Sequence, residues 1–110
     1  MASYYESKDL AKFGNITRVN KELGEKFFAY YGSVMQEGAL SEREKALIAL
    51  SVAHALKCPY CIDAYSSTCL EKGADEAQMN EAVHVAAAMA AGIALVHSVQ
   101  MMNKVDELSI

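Results

Sequence analysis

The chain contains a single proline, Pro59, and it stands between two cysteines in the run Cys58-Pro59-Tyr60-Cys61. It constrains the fold more than any other residue, because the sequence around it otherwise favours helix. A proline disfavours the helical conformation of the residue before it, so one helix has to end near Lys57. At the first position of a helix its missing N–H costs nothing, so a new helix begins at Pro59. Ala, Leu, Met, Glu and Lys are frequent, and all are good helix formers. Strand-type runs of Val, Ile and Thr are absent. An all-α, single-domain helical bundle over residues 1–110 follows, with about five to six helices. With 53% hydrophobic residues, the chain can build one real core.

The other boundaries come from local signals. Ser7 to Phe13 suits a short helical turn. Asn20 is a suitable N-cap for a helix to about Tyr31, with Leu23, Phe27, Tyr30, Tyr31 and Val34 at helical spacing and Gly32 as its stop. Ser41-Glu42-Arg43-Glu44 forms a capping box that opens the helix ending near Lys57. The helix starting at Pro59 runs to about Lys72 and is closed by Gly73. Asp75 caps the next, which carries Met79, Val83, Ala86 and Ala87 on one face. Gly92 is expected to break or kink this segment before a last helix from Ile93 to about Val105. The small residues from Ala86 to Ala94 suit either tight core packing or a subunit interface. Met35, Met79 and Met89 are expected in the core, and Met101 and Met102 partly exposed.

Charge and composition exclude several classes. The net charge is −4 and the basic residues are scattered, so no cluster exists to track phosphates and nucleic-acid binding is not expected. The start, MASYYESKDL, lacks the layout of a signal peptide. The most apolar stretch, Ala82 to Val96, is short for a bilayer and contains His84, so it is expected to be a buried helix. A soluble cytoplasmic protein without a membrane partner is the expectation. Three cysteines, an odd number, argue against a structural disulfide framework.

In a reducing compartment a close pair such as Cys58 and Cys61 is more often catalytic or metal-binding. The start of a helix supplies free N–H donors and partial positive charge, and both stabilise a thiolate. Cys58 falls at the cap and Cys61 in the first turn, so their sulfurs can meet on one side and cycle through a disulfide. The blander alternative is a pair of inert, buried cysteines. Zinc, with His54, His84 or His97, is disfavoured because no second close Cys or His pair completes four ligands. No cofactor or metal is expected.

His54, one turn before Cys58, could accept a thiol proton, or be a core histidine bonded to a backbone carbonyl. Tyr65, one turn after Cys61, could donate a hydrogen bond to a sulfur or a bound peroxide, or simply pack with a satisfied hydroxyl. Cys69 reads as a small buried hydrophobe, with a resolving role as the alternative. His84 and His97 read as satisfied core residues.

The stretch from Leu40 to Leu50, then Cys58-Pro59-Tyr60-Cys61, Gly73-Ala74 and Glu81-Ala82-Val83-His84, resembles the alkylhydroperoxidase D-like members of the carboxymuconolactone decarboxylase superfamily. Tyr4-Tyr5 and Phe27-Phe28-Ala29-Tyr30-Tyr31-Gly32 resemble the arsenosugar-biosynthesis-associated peroxidase-like branch. The resemblance implies an all-helical fold, assembly into a trimeric or hexameric homo-oligomer, and reduction of a hydroperoxide or disulfide at the cysteine pair. It implies that Cys61 is oxidised, that Cys58 resolves it as a disulfide, and that an external dithiol regenerates the pair.

Two positions depart from the family pattern. Its relay has a Glu twelve residues before the first cysteine, where this chain has Ala46, and a His four after the second, where it has Tyr65. His54 would then serve from the other side. The resulting expectation is a thiol-dependent oxidoreductase, peroxidase or disulfide reductase, with Cys58, Cys61, His54 and Tyr65 in the site. The alternative is a non-catalytic binding protein that holds a metalloid or small molecule by its vicinal thiols.

Overall fold

The computed structural model describes residues 6–109. Among them are a 3₁₀ helix over Ser7–Thr17, four α-helices and no strand: α1 (Lys21–Met35), α2 (Glu42–Ala55), α3 (Pro59–Glu71) and α4 (Glu76–Leu108). Tyr4 and Tyr5 lie outside the described residues.

Each α-helix opens on a side-chain cap. Asn20 accepts the N–H of Leu23 at 3.1 Å. Ser41 Oγ accepts the N–H of Glu44 at 3.1 Å while the Glu44 carboxylate accepts the Ser41 N–H at 2.8 Å. Asp75 and Gln78 close a second reciprocal box at 2.8 and 3.0 Å. At α3 the capping residue is Cys58 itself.

The closing turns of α2 and α3 share one design. After α3, Gly73 takes φ +89°, Gly73 N–H donates to Leu70 at 3.1 Å, and Ala74 N–H donates to Cys69 at 2.9 Å. After α2, Lys57 takes φ +58°, its N–H donates to His54 at 3.2 Å, and Cys58 N–H donates to Ala53 at 3.0 Å. Both are Schellman turns, with the residue after the cap left-handed. Glycine adopts this conformation freely, whereas a lysine there costs about 1 kcal/mol. Cys58 therefore ends one helix and begins the next.

Helix α2 is the centre of the core. Ala46, Leu50 and Ala53, spaced four and three apart, are buried. Ala46 and Leu50 meet Cys69 of α3 and Ala74, and Leu47, Tyr65 and Met79 pack around them. Lys45 of α2 donates from Nζ to the carbonyls of Val34 and Gln36 at 2.7 and 2.5 Å, satisfying the end of α1. From the other side the 3₁₀ helix presses on α1 at buried Gly24, where a Cβ would lie 2.6 Å from Thr17 Cγ2. Phe13 packs edge-on against Phe28 and Tyr60, with ring centroids 5.0 and 5.3 Å away. It thus joins the 3₁₀ helix to α1 and to the cysteine-bearing turn.

Two expected helix stops do not operate. Helix α1 continues through Gly32 to Met35, and the two C-terminal helices expected on either side of Gly92 form one helix of 33 residues. A glycine inside a helix costs only about 1 kcal/mol, and the neighbouring alanines favour continuation. It ends a helix where the chain must turn left-handed, as at Gly73.

Helix α4 is about 50 Å long, whereas the 14-residue α2 beneath it spans about 21 Å. Ala86 is buried, but beyond it nearly every side chain is exposed, including Leu95 at 70% and Val96 at 63%. The stretch Ala82 to Val96 is thus not buried within the chain, contrary to expectation. Met89, His84 and His97 are likewise exposed rather than in the core. The expected shortness for a bilayer is also corrected: part of α4, with mean hydropathy 1.8, is long and apolar enough to cross a membrane by length and composition. The radius of gyration is 18.9 Å, against about 13 Å for a compact chain of this length. The accessible surface is 8528 Å², against about 6,000 Å² for a compact monomer of this mass.

Candidate functional site

The junction of α2 and α3 positions the cysteines. The Schellman turn fixes the main chain at Cys58, whose carbonyl accepts the N–H of Ile62 at 3.0 Å. Pro59 occupies the first helical position. Cys58 Sγ takes the place that a serine or aspartate oxygen usually takes at a cap and accepts the Cys61 N–H at 3.2 Å. Both thiols are free and half-buried.

The two cysteines face a cavity of about 250 Å³ between α1, α2 and α3. Phe27, Val34 and Met35 of α1 and Val52 and Leu56 of α2 make its walls apolar. Tyr31 and Tyr65 also line it, and their hydroxyls are hydrogen-bonded to each other. Burial pushes the Tyr65 hydroxyl pKa up. Burial also pushes the Cys61 thiol up to about 11, and the adjoining Cys58 sulfur adds to the rise. A proton is removed from Cys61 less readily than its place in the first turn of a helix predicts, because loss of water outweighs the helix field.

The cavity therefore joins Cys58, Cys61 and Tyr65. His54 does not line it. Its Nδ1 donates to the Leu50 carbonyl at 2.8 Å, the alternative its position on α2 left open. Ala46, where the resemblance implied a relay carboxylate, is fully buried in the core. Cys69 is fully buried beside it, and burial raises its thiol pKa. Sequence reasoning missed Tyr31 as the partner of Tyr65. The signal was its spacing with Phe27 and Val34, which marks one face of α1. No group of three or more His, Cys, Asp or Glu able to hold a metal is present among the described residues.

The carboxymuconolactone decarboxylase family model matches residues 21–104, from the first residue of α1 into the last turns of α4. The chain belongs to the carboxymuconolactone decarboxylase family. This places it in the alkylhydroperoxidase D-like superfamily, which includes decarboxylases and peroxidase-like enzymes. The chain is similar to an uncharacterised protein, number 4 of the cox locus of Paracoccus denitrificans, with 36% identity over 98% of this chain and 97% of that one. It is also similar to a protein of known crystal structure from Methanobacterium thermoautotrophicum. That match has 32% identity and a TM-score of 0.75, covering 78% of this chain and 97% of the other. The family match contains both cysteines and leaves out the 3₁₀ helix that carries Phe13.

Proposed function

We propose that the protein is a thiol-dependent oxidoreductase that reduces a hydroperoxide or disulfide at Cys58 and Cys61. The observation that carries this reading is the junction itself. It brings two free thiols, three residues apart at a helix start, to the wall of one apolar cavity. Family membership supports it through the peroxidase-like members. The pair gives up two electrons and closes as a disulfide, which an external dithiol reduces again. Tyr65 donates a hydrogen bond to the bound oxidant from the cavity wall. His54, four residues before Cys58 and outside the cavity lining, is the proton acceptor.

The test is hydroperoxide consumption by the reduced protein with a dithiol donor. Cys58→Ser and Cys61→Ser should each abolish multiple turnovers, and full turnover by either variant overturns the reading. A stoichiometric arsenite adduct without turnover would favour the thiol-based binding protein instead. His54→Ala should change the pH–rate profile, and an unchanged profile removes His54 from the site.

The protein works as a cytoplasmic homo-oligomer, a trimer or hexamer, in which a second copy covers α4. The surplus surface, about 2,500 Å² above that of a compact monomer, exceeds what a standard interface takes from one partner, about 800 Å². Light scattering after size exclusion should give a multiple of the chain mass. A monomer that sediments with lipid vesicles would assign α4 to a membrane and refute the assembly.

A further inference from the structure

We infer that Cys58, not Cys61, forms the first bond to the oxidant, with Cys61 resolving it. This rests on the oxidoreductase reading above and reverses the order that the family resemblance implies.

The geometry separates two cysteines that look equivalent in sequence. Cys58 caps α3, a helix of 13 residues, and its sulfur receives the Cys61 N–H at 3.2 Å. An N–H donated to a charged acceptor is stronger than one donated to a neutral acceptor, so this bond favours the anion. The positive end of the helix acts in the same direction. Cys58 is also held in place by its own N–H and C=O, bonded to Ala53 and Ile62. Cys61 lies inside the turn. Its N–H is spent on Cys58, and burial, its largest influence, keeps its thiol protonated.

Among the described residues, no charged side chain lines the cavity to reverse this order. The titratable side chains that line it with the cysteines are Tyr30 and Tyr31 from α1 and Tyr65 from α3; α2 contributes none. Tyr60 senses both sulfurs, and its own pKa is raised, mainly by burial. Lys57 is exposed, and His54 Nδ1 is bonded to Leu50.

With a hydroperoxide, Cys58 gives up its proton as its sulfur attacks one peroxide oxygen and the O–O bond breaks. Cys58 becomes a sulfenic acid, and the departing alkoxide takes a proton to leave as an alcohol. Cys61 then gives up its proton and attacks the Cys58 sulfur, expelling hydroxide, which leaves as water with that proton. The disulfide that forms carries the two-electron oxidation until an external dithiol reduces it.

The test is per-residue alkylation of the reduced full-length protein by iodoacetamide at pH 7, read by peptide mass spectrometry. Cys58 should react at least several-fold faster than Cys61, while buried Cys69 stays unlabelled and reports an intact fold. After a hydroperoxide pulse, dimedone should label Cys58 in Cys61→Ser and label Cys61 at least tenfold less in Cys58→Ser. Faster alkylation of Cys61, or equal dimedone labelling in the two variants, overturns the assignment. Because alkylation needs no turnover, Cys58 leading in a protein that consumes no peroxide would uphold Cys58 as the more reactive thiol and sink the oxidoreductase reading alone.

Discussion

Replacing Gly24 by Ala tests the contact that holds the 3₁₀ helix, and with it Phe13, against the body of the protein. The added Cβ would lie 2.6 Å from Thr17 Cγ2 and 2.8 Å from Thr17 Cα. Carbon atoms in good contact stand about 3.5–4.0 Å apart. A χ1 rotation could move Cγ2 aside, but Cα is backbone, so the whole segment has to lift by about 1 Å. Overpacking of this kind costs about 1–3 kcal/mol. Alanine's better helix propensity returns about 1 kcal/mol. The net loss should be about 0–2 kcal/mol, which lowers Tm by up to about 9 °C in a domain of this size. Thermal and denaturant unfolding by circular dichroism, at matched protein concentration, would read it, with the m-value unchanged. Thr17→Ser removes Cγ2 but leaves Cα, so it should restore only part of the loss. A stabilising Gly24→Ala would refute the close approach, and with it the Phe13 bridge to Tyr60.

Other perturbations separate the remaining parts. Gly73→Ala forces a side chain into φ +89° and should destabilise by about 1 kcal/mol, whereas Gly32→Ala, helical with open space around it, should stabilise by a similar amount; both are read as denaturation midpoints. The Glu44 carboxyl is held below its usual range by hydrogen bonds from Ser41. Because its folded pKa is depressed, its contribution is present above 4.5 and is lost as pH falls through the lowered value; Glu44→Gln should flatten that part of the acid stability curve. Tyr31→Phe should leave the half-buried Tyr65 hydroxyl without its partner and destabilise by about 1 kcal/mol, seen in urea unfolding.

Much of the fold was legible because its signals are local. The capping boxes at Ser41 and Asp75 and the cap at Asn20 each need only residues three apart, and all three form. Pro59 likewise marked the junction, with Cys58 as cap and Cys61 in the first turn. The misreadings came where a local signal competed with the rest of the chain. Gly32 and Gly92 can end helices, yet both are carried through, because no turn is required there. Lys57 carries no mark of the left-handed turn it adopts; the demand comes from Ala53 and His54 before it and Pro59 after it.

By itself the sequence determined the helical class, the helix starts and the nearness of the two cysteines, since all of these rest on interactions within a turn or two of the chain. Only the tertiary structure decided what surrounds them. The Tyr31–Tyr65 bond joins residues 34 apart in sequence, and the cavity exists because α1 closes over α2 and α3. The rise in the Cys61 pKa follows from that closure, because the lost hydration is a property of everything packed around the sulfur. The exposure of α4 is tertiary in the same sense. An apolar sequence specifies that a helix must be covered, and the length of α2 leaves its far half uncovered within one chain.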